Sequence, residues 1–426
     1  MAPAADGRLQ VFVAFRYREY RLFWAGAAFS NLGIWALMAG RLWLMNDLTG
    51  SPLMLGALTI SGTGPILLLA MWGGVVADRV NRLRLMTFTR AMFSALALLT
   101  GALVAFDVVQ PWHLIAISLC TGVLLSFDIP SRQAILPNLV AKEHLLNAVV
   151  LYSLIFGASA VVGPAYFAPL VKLWGLEGLF FFVGASYALT VAMLMMMKPM
   201  PRKTVAVKTK LWQDLAGGVS YISGHRVVLN LIAIGVVAGL FGASFGTLMP
   251  VFADQILEGG VESYSLLLLG SGVGGLIGTV SLAIFGSMKR SSNLQLIAGV
   301  GFGLGLAAFA QTTWLPASVG MLVVVSGCSA AFGAVNNTLL QSVVDDDFRG
   351  RVMSIHQLGW GASAVGGLLM GAIAQSAGAP FALTLAGVVT AVATGSFSAL
   401  VARSRDESAV DAALGTSSTT EAHGSD

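Results

Sequence analysis

Residues 73–82 read GGVVADRVNR and place one acid and two bases between two long apolar stretches. Such a cluster is unusual in this chain, because charged residues make up only 10% of the 426 positions and hydrophobic residues make up 56%. Soluble domains average roughly 25% charged residues. The composition therefore predicts an integral membrane protein, in which this charged cluster is a connection between two membrane spans.

Twelve apolar segments remain when the chain is cut at charges, prolines and turn residues, each near the roughly 20 residues that a spanning helix needs. They lie at residues 22–46, 53–77, 84–106, 111–130, 144–170, 177–197, 227–254, 263–287, 293–311, 315–341, 352–375 and 380–402. The longest charged interruption separates them six and six, which predicts an all-α membrane fold of two six-helix bundles. We expect a first bundle at 1–198, a cytoplasmic linker at 199–225, a second bundle at 226–403 and a disordered cytoplasmic tail at 404–426.

The 24 Lys and Arg residues fall almost entirely on one side of this predicted membrane protein if both termini are cytoplasmic. Lys172 lies in a connection on the opposite side and Arg41 lies within a span. Cytoplasmic connections of membrane proteins carry such an excess of positive residues. The pattern accounts for the basic net charge without a nucleic-acid partner and predicts a multi-pass protein of a bacterial-type inner membrane.

An internal repeat relates the two halves of the chain. GASAVVG at 157–163 recurs as GASAVGG at 361–367, and each stands about 30 residues after a phenylalanine, Phe127 or Phe332. Small residues let membrane helices approach closely. We therefore predict helix contacts at Gly157, Gly163, Pro164, Gly361 and Gly367.

The opening stretch and the six-plus-six repeat resemble the major facilitator superfamily. Its signature between the second and third spans is matched here by Gly74, Asp78, Arg79, Asn81 and Arg82. Asparagine stands where the family has a second glycine, and since asparagine tolerates a left-handed backbone we expect such a turn at Asn81. LTGSPLMLG at 48–56 and IPSRQAILPNLV at 129–140 are similar to the branch with the enterobactin exporter and macrolide efflux proteins.

The resemblance implies a cytoplasmic gate. In the family the acid of this turn meets the inner end of the eleventh span, so Asp78 with Gly74, Arg79 and Arg82 is predicted to hold the cytoplasmic side closed. Arg79 or Arg82 is expected to reach Asp128 on the fourth span. Asp128 and Arg132 lie one helical turn apart, either as a surface ion pair or as part of this gate.

Ionisable residues within spans are costly and suggest function. Arg41 either extends outward to pair with Asp47 or Asp254, or is a cavity cation that attracts an anionic or hydrogen-bonding substrate. His356 either carries protons or is a buried neutral side chain with one hydrogen bond.

Aromatic and amide side chains fall in the spans expected to face a central cavity, where they suit a large, amphipathic, mostly uncharged molecule. They are Asn31, Trp35, Asn336, Asn337, Gln357 and Trp360. We therefore predict a monomeric secondary exporter of a hydrophobic or siderophore-like compound, with protons as the coupling ion. The alternatives are a symporter that imports a small metabolite and a non-transporting receptor or scaffold. The chain has no P-loop and no metalloprotease or hydrolase motif, so neither an enzyme nor a cofactor or metal is expected.

Overall fold

Helices account for nearly all of the chain that the computed structural model describes, which is residues 12–198, 211–285 and 291–397, and no strand occurs in these ranges. In chain order the helices are α1 (Arg18–Thr49), α2 (Pro52–Arg79), α3 (Arg82–Ala105), α4 (Pro111–Ile135), α5 and α6 (together Leu145–Met195, divided at Gly175), α7 (Leu211–Gly224), α8 (Arg226–Ile256), α9 (Gly260–Phe285), α10 (Ser291–Phe309), α11 (Leu315–Val343), α12 (Asp346–Ala377) and α13 (Ala379–Phe397).

Ten stretches of the described residues are long and apolar enough to cross a membrane. One of them holds both α5 and α6, because Gly175 has a φ of +71° and interrupts the helix. Glycine adopts this left-handed region without a Cβ penalty. The shorter α10 is also apolar. With α7 set aside, the described helices form the predicted twelve spans.

Local sequence explains the turns between the first spans. Gly50 ends α1 with a φ of +57°, and Ser51 caps α2 by accepting a hydrogen bond from the Met54 backbone N–H. The turn before α3 differs from the prediction. Asn81 is extended, with a φ of −70°, because its side chain caps α3 by accepting from the Arg84 backbone N–H at 3.2 Å. The expected left-handed asparagine was wrong.

Two features of the second half were not predicted. The region assigned to the linker contains α7, whose Tyr221 hydroxyl lies 3.1 Å from Asp345 Oδ2 and whose Tyr221 ring stacks on Phe348. The seventh span, α8, contains two π-helical segments at Ala238–Gly242 and Phe252–Ile256. Such segments are rare and are often found at functional sites. The linker residues 199–210 and the tail lie outside the described residues.

The two bundles meet along two helix pairs, α2 with α12 and α5 with α9. We call the face at which Arg18 and Met195 lie the terminal face, and the opposite face, at which Thr49 and Pro52 lie, the distal face. Toward the distal face, buried hydrophobic side chains of both bundles form one shared cluster that includes Leu55 and Met370. Toward the terminal face each bundle has a separate cluster, so among the described side chains the bundles share a core only in the distal half.

Candidate substrate and gating site

A buried carboxylate lies inside the first bundle, where α3 and α4 cross. Asp128 is fully buried, and its Oδ2 accepts a hydrogen bond from Arg90 Nη2 at 2.8 Å. Its Oδ1 accepts from the Thr89 hydroxyl at 2.9 Å, and Arg132 Nε lies 3.8 Å from Oδ2. A buried charge is tolerated only with charged or hydrogen-bonded partners. Asp128 meets this condition, because it lies between two arginines and accepts two hydrogen bonds.

This geometry corrects two expectations. Asp128 and Arg132 do not form a surface pair, because Asp128 has no exposed area. Among the described side chains, its charged partners are Arg90 and Arg132 and not the predicted Arg79 or Arg82. Arg82 donates to the Ala134 carbonyl oxygen at 3.0 Å.

Arg41 of α1 points into the same bundle. Its side chain donates from Nη1 to the Thr121 hydroxyl of α4 at 2.9 Å, and the residue is only 5% exposed. Its Nε and Nη2 have no hydrogen-bond partner among the described residues. Extension toward Asp254 is wrong, because Asp254 Oδ2 accepts instead from Asn46 Nδ2 at 3.0 Å.

Tyr187 of α6 connects these groups. Its ring centroid lies 5.7 Å from the Arg90 guanidinium carbon, and its hydroxyl is buried without a hydrogen-bond partner among the described residues. A guanidinium near an aromatic face gains cation–π stabilisation. Together Arg41, Arg90, Asp128, Arg132 and Tyr187 form what we call the charged core of the first bundle.

The second bundle has a neutral polar cluster in the corresponding place, made of Gln295, Asn336 and His356. Gln295 Nε2 of α10 donates to Asn336 Oδ1 of α11 at 2.7 Å, and both residues are almost fully buried. Asn336 and His356 both adjoin Gly235 of α8, where an added Cβ would lie 3.2 Å from Asn336 Nδ2 and 3.5 Å from His356 Cε1. The structure thus brings together two of the predicted site residues on different helices.

Three other predicted substrate residues make separate contacts. Asn31 donates to the Ala27 carbonyl oxygen of its own helix, and Asn337 accepts from Gln341 one turn away. Trp35 packs against Phe156 of α5 with ring centroids 6.0 Å apart, while its indole N–H is buried and without a partner among the described residues. The side chains of Gln357, Trp360 and Asp78 lie outside the described residues.

The predicted packing residues lie at helix crossings. A Cβ on Gly157 would lie 3.1 Å from Leu276 of α9, and one on Gly163 would lie 2.7 Å from the Trp35 Cβ. The Pro164 carbonyl oxygen accepts from Ser265 of α9. Gly361 adjoins Leu67 and Gly367 adjoins Thr59, both on α2. Four of these five residues therefore lie where one bundle meets the other.

The comparisons with known proteins agree with this architecture. A family model described as transmembrane secretion effector matches residues 10–418. The chain belongs to this family of major facilitator transporters. As such it is a membrane transporter and not an enzyme.

This secretion effector is 24% identical to the staphyloferrin A transporter of Staphylococcus aureus, over 87% of the chain and 93% of that relative. It is 22% identical to macrolide efflux protein A of Streptococcus pyogenes, over 80% and 86% of the two chains. Its fold matches a mutant of the nucleoside transporter NupG with a TM-score of 0.74 at 13% identity, covering 89% of this chain and 99% of that one. It also matches a bacterial homologue of the lysosomal transporter Spinster with a TM-score of 0.72 at 14% identity, covering 91% and 97%.

At the distal face of this secretion effector, four polar contacts join the bundles, and sequence reasoning found none of them. We call them the distal latch: Asn46 with Asp254, Ser51 with Gln375, the Gly50 carbonyl oxygen with Gln255, and Lys172 with Glu262. Each partner lies far from the other in sequence, so no local pattern reveals the pairing. Two further bonds join the bundles in the same half of the molecule, Thr59 with Thr247 and Ser265 with the Pro164 carbonyl oxygen.

The glycine that matches the family signature is not the glycine at which α2 packs against α4. An added Cβ on Gly74 would meet no described atom within 4 Å, whereas one on Gly73 would collide with the Ser126 carbonyl oxygen of α4. Gly73 therefore sets the approach of α2 to α4. Arg79, at the end of α2, is exposed.

Proposed function

We propose that this secretion effector exports a hydrophobic or siderophore-like small molecule by alternating access, driven by proton antiport. The observation that carries the proposal is the asymmetry of the interface between the bundles. The distal half has a shared hydrophobic core and the distal latch, while the terminal half has two separate cores. A transporter that opens to one side at a time needs such a joint on the side that is closed. The family description and the macrolide-efflux relative support export as the direction.

The orientation follows from charge. The terminal face carries Arg18, Arg84 and Arg351, and positive residues favour the cytoplasmic side. With this orientation the chain is closed to the outside and loads its substrate from the cytoplasm or the inner leaflet. A cysteine at exposed Val108 of the distal face should then react with an impermeant label on whole cells, in a variant with Cys120 and Cys328 replaced by serine. A cysteine at exposed Arg84 should not react, and the reverse pattern would invert the orientation.

The latch supplies a route for proton coupling. Asn46 Nδ2 donates to Asp254 Oδ2, and Oδ1 of the same amide is buried without a partner among the described residues. A protonated Asp254 has an O–H that suits this second oxygen, which would add a bond across the interface. Proton binding would then favour distal closure, which is the direction an antiporter needs to return to its loading state. Asp47, Glu258 and the Lys172–Glu262 pair are the other charged groups near this part of the distal face.

Transport into sealed inverted membrane vesicles tests the proposed function directly. We expect a radiolabelled macrolide to accumulate inside them when a proton gradient is applied, and accumulation to collapse on addition of a protonophore. Asp254→Asn should lower gradient-driven accumulation at least tenfold while exchange of labelled for unlabelled macrolide continues, because the asparagine keeps a hydrogen bond but cannot titrate. Glu262→Gln, at the same face, is the matched control.

The rival functions predict different results in the same vesicles. A symporter that imports would move its substrate out of inverted vesicles under this gradient. A receptor or scaffold would move no compound in either direction. If Asp254→Asn kept full gradient dependence, the coupling site would lie elsewhere while export itself would stand.

A further inference from the structure

The interior of the first bundle has more cationic groups than one acid can neutralise. Arg41, Arg90 and Arg132 all lie there, and Asp128 is the one buried carboxylate among the described residues of this bundle. Asp128 engages Arg90 and Arg132, so Arg41 is left with only the Thr121 hydroxyl among the described residues. An uncompensated charge within a membrane protein is costly and is retained where it serves a function.

The buried polar atoms without partners show the same bias. In the described part of the chain there are seven, and six of them carry a hydrogen to donate: Trp35 Nε1, Arg41 Nε, Arg41 Nη2, Arg90 Nε, Tyr187 Oη and Tyr264 Oη. The seventh, Asn46 Oδ1, only accepts. Leaving a buried donor unpaired costs about 1–3 kcal/mol. This interior therefore complements a ligand that is rich in acceptors and negatively charged.

The free edge of Arg41 fits one kind of acceptor. Its Nη1 is used by Thr121, and the two free atoms, Nε and Nη2, form the other edge of the planar guanidinium. Two parallel N–H groups on such an edge match the two oxygens of a carboxylate. A lysine ammonium or a single hydroxyl does not present two parallel N–H groups to the two oxygens of a carboxylate. Arg41 is also about 12 Å from the end of α1 at Thr49, given a rise of 1.5 Å per residue.

We propose that Arg41 is an anion subsite that binds a carboxylate of the transported molecule, so that the substrate class is an amphipathic organic acid. This inference rests on the proposed function, because it assigns the substrate of the same transporter.

Equilibrium dialysis on the purified full chain in neutral detergent tests the subsite with two probes of equal shape. These are 1-naphthoate and its uncharged isostere 1-naphthamide. We expect wild type to bind the naphthoate at least tenfold more tightly. Arg41→Gln should reduce naphthoate affinity to that of the amide and leave amide binding unchanged. Arg41→Lys should be intermediate, because it keeps the charge and loses the two parallel N–H groups.

Arg84→Gln, which removes an exposed arginine of the terminal face, should leave both affinities unchanged. Gel filtration establishes that each variant is folded, and the two-probe comparison on wild type decides the point even if Arg41→Gln does not fold. Equal binding of both probes to wild type, binding of neither, or equal loss of both in Arg41→Gln would overturn the proposal. If sulfate displaced naphthoate and bound with the same affinity, Arg41 would be a site for a free inorganic anion. That result would also overturn the proposal.

This binding measurement needs no gradient and no direction of transport. Its failure would leave proton-driven export of an uncharged compound intact. Conversely, a vesicle experiment without any gradient-driven transport would remove the proposed function while the anion affinity of Arg41 could still be read.

Discussion

The two bundles join their third and fourth helices in different ways. In the first bundle, Arg90 of α3 bonds to the buried carboxylate of Asp128 on α4. In the second, Gln295 of α10 bonds to Asn336 of α11, and both groups are neutral. Nevertheless, the crossing of α2 with α4 has a counterpart in the crossing of α9 with α11. Repetition of a fold therefore preserves backbone packing more strictly than the chemistry of the interior.

The framework common to both bundles is set by glycines. Where α2 crosses α4, a Cβ on Gly73 would collide with the Ser126 carbonyl oxygen, and where α9 crosses α11, a Cβ on Gly278 would collide with the Gly327 carbonyl oxygen. In lipid, helices associate through such close backbone approach. The polar side chains are free to diverge, so one bundle has buried arginines around Asp128 where the other has a pair of uncharged amides.

The largest effect is expected from removing the one acid of the charged core. Asp128→Ala leaves the buried Arg90 and Arg132 without their carboxylate. Removing one member of a buried ion pair lowers stability by about 3–5 kcal/mol. We expect a strong fall in the thermal unfolding midpoint in detergent and in membrane abundance. Asp347→Ala, at an exposed position of the terminal face, should change stability by less than about 0.5 kcal/mol. A silent Asp128→Ala would mean that the charged core is not a structural element.

The contacts of Asp128 also mark the limit of what the sequence predicts. The twelve spans follow from composition and length, and the boundary between α5 and α6 falls at Gly175, within the predicted gap between the fifth and sixth spans. The proximity of Asp128 and Arg132 follows from helical periodicity. The sequence pattern counts Arg90 among the positive residues of the cytoplasmic face, because it lies near the charged opening stretch. In the structure it is about two turns inside α3.

The other site contacts could not be read from a local pattern. Thr121 meets Arg41 from a helix 80 residues away, and Asn46 meets Asp254 across 208 residues. Nothing in a single sequence reports which faces of two distant helices meet. An arginine inside a span can be singled out from the sequence, whereas its hydrogen-bond partner cannot.

A smaller effect is expected from the glycine crossings, and it should be equal in the two bundles. Gly73→Ala and Gly278→Ala each force a methyl group against a backbone carbonyl, and such overpacking costs typically 1–3 kcal/mol. Each has a neighbour for a control, because no atom of the described residues lies within 4 Å of a Cβ added to Gly74 or Gly275. Unfolding midpoints of the four variants measure this. Unequal losses in Gly73→Ala and Gly278→Ala would show that the framework is not shared as closely as the geometry indicates.

The smallest net effect is expected where both members of the neutral pair are replaced. Gln295→Leu alone leaves Asn336 Oδ1 buried without its donor, and Asn336→Leu alone leaves the Gln295 amide without its acceptor, so each should cost about 1–3 kcal/mol. The double variant removes both polar groups at once, and a double-mutant cycle should show that it costs much less than the two single changes together.

The equivalent cycle in the first bundle, with Arg90→Leu and Asp128→Leu, should not recover in this way, since Arg132 lies 3.8 Å from the lost carboxylate and keeps its charge. Recovery in both bundles would mean that Arg132 does not depend on Asp128, and the charged core would then reduce to one ion pair. Recovery in neither would mean that the Gln295–Asn336 contact is coupled to further groups, for which His356 at Gly235 is the nearest candidate.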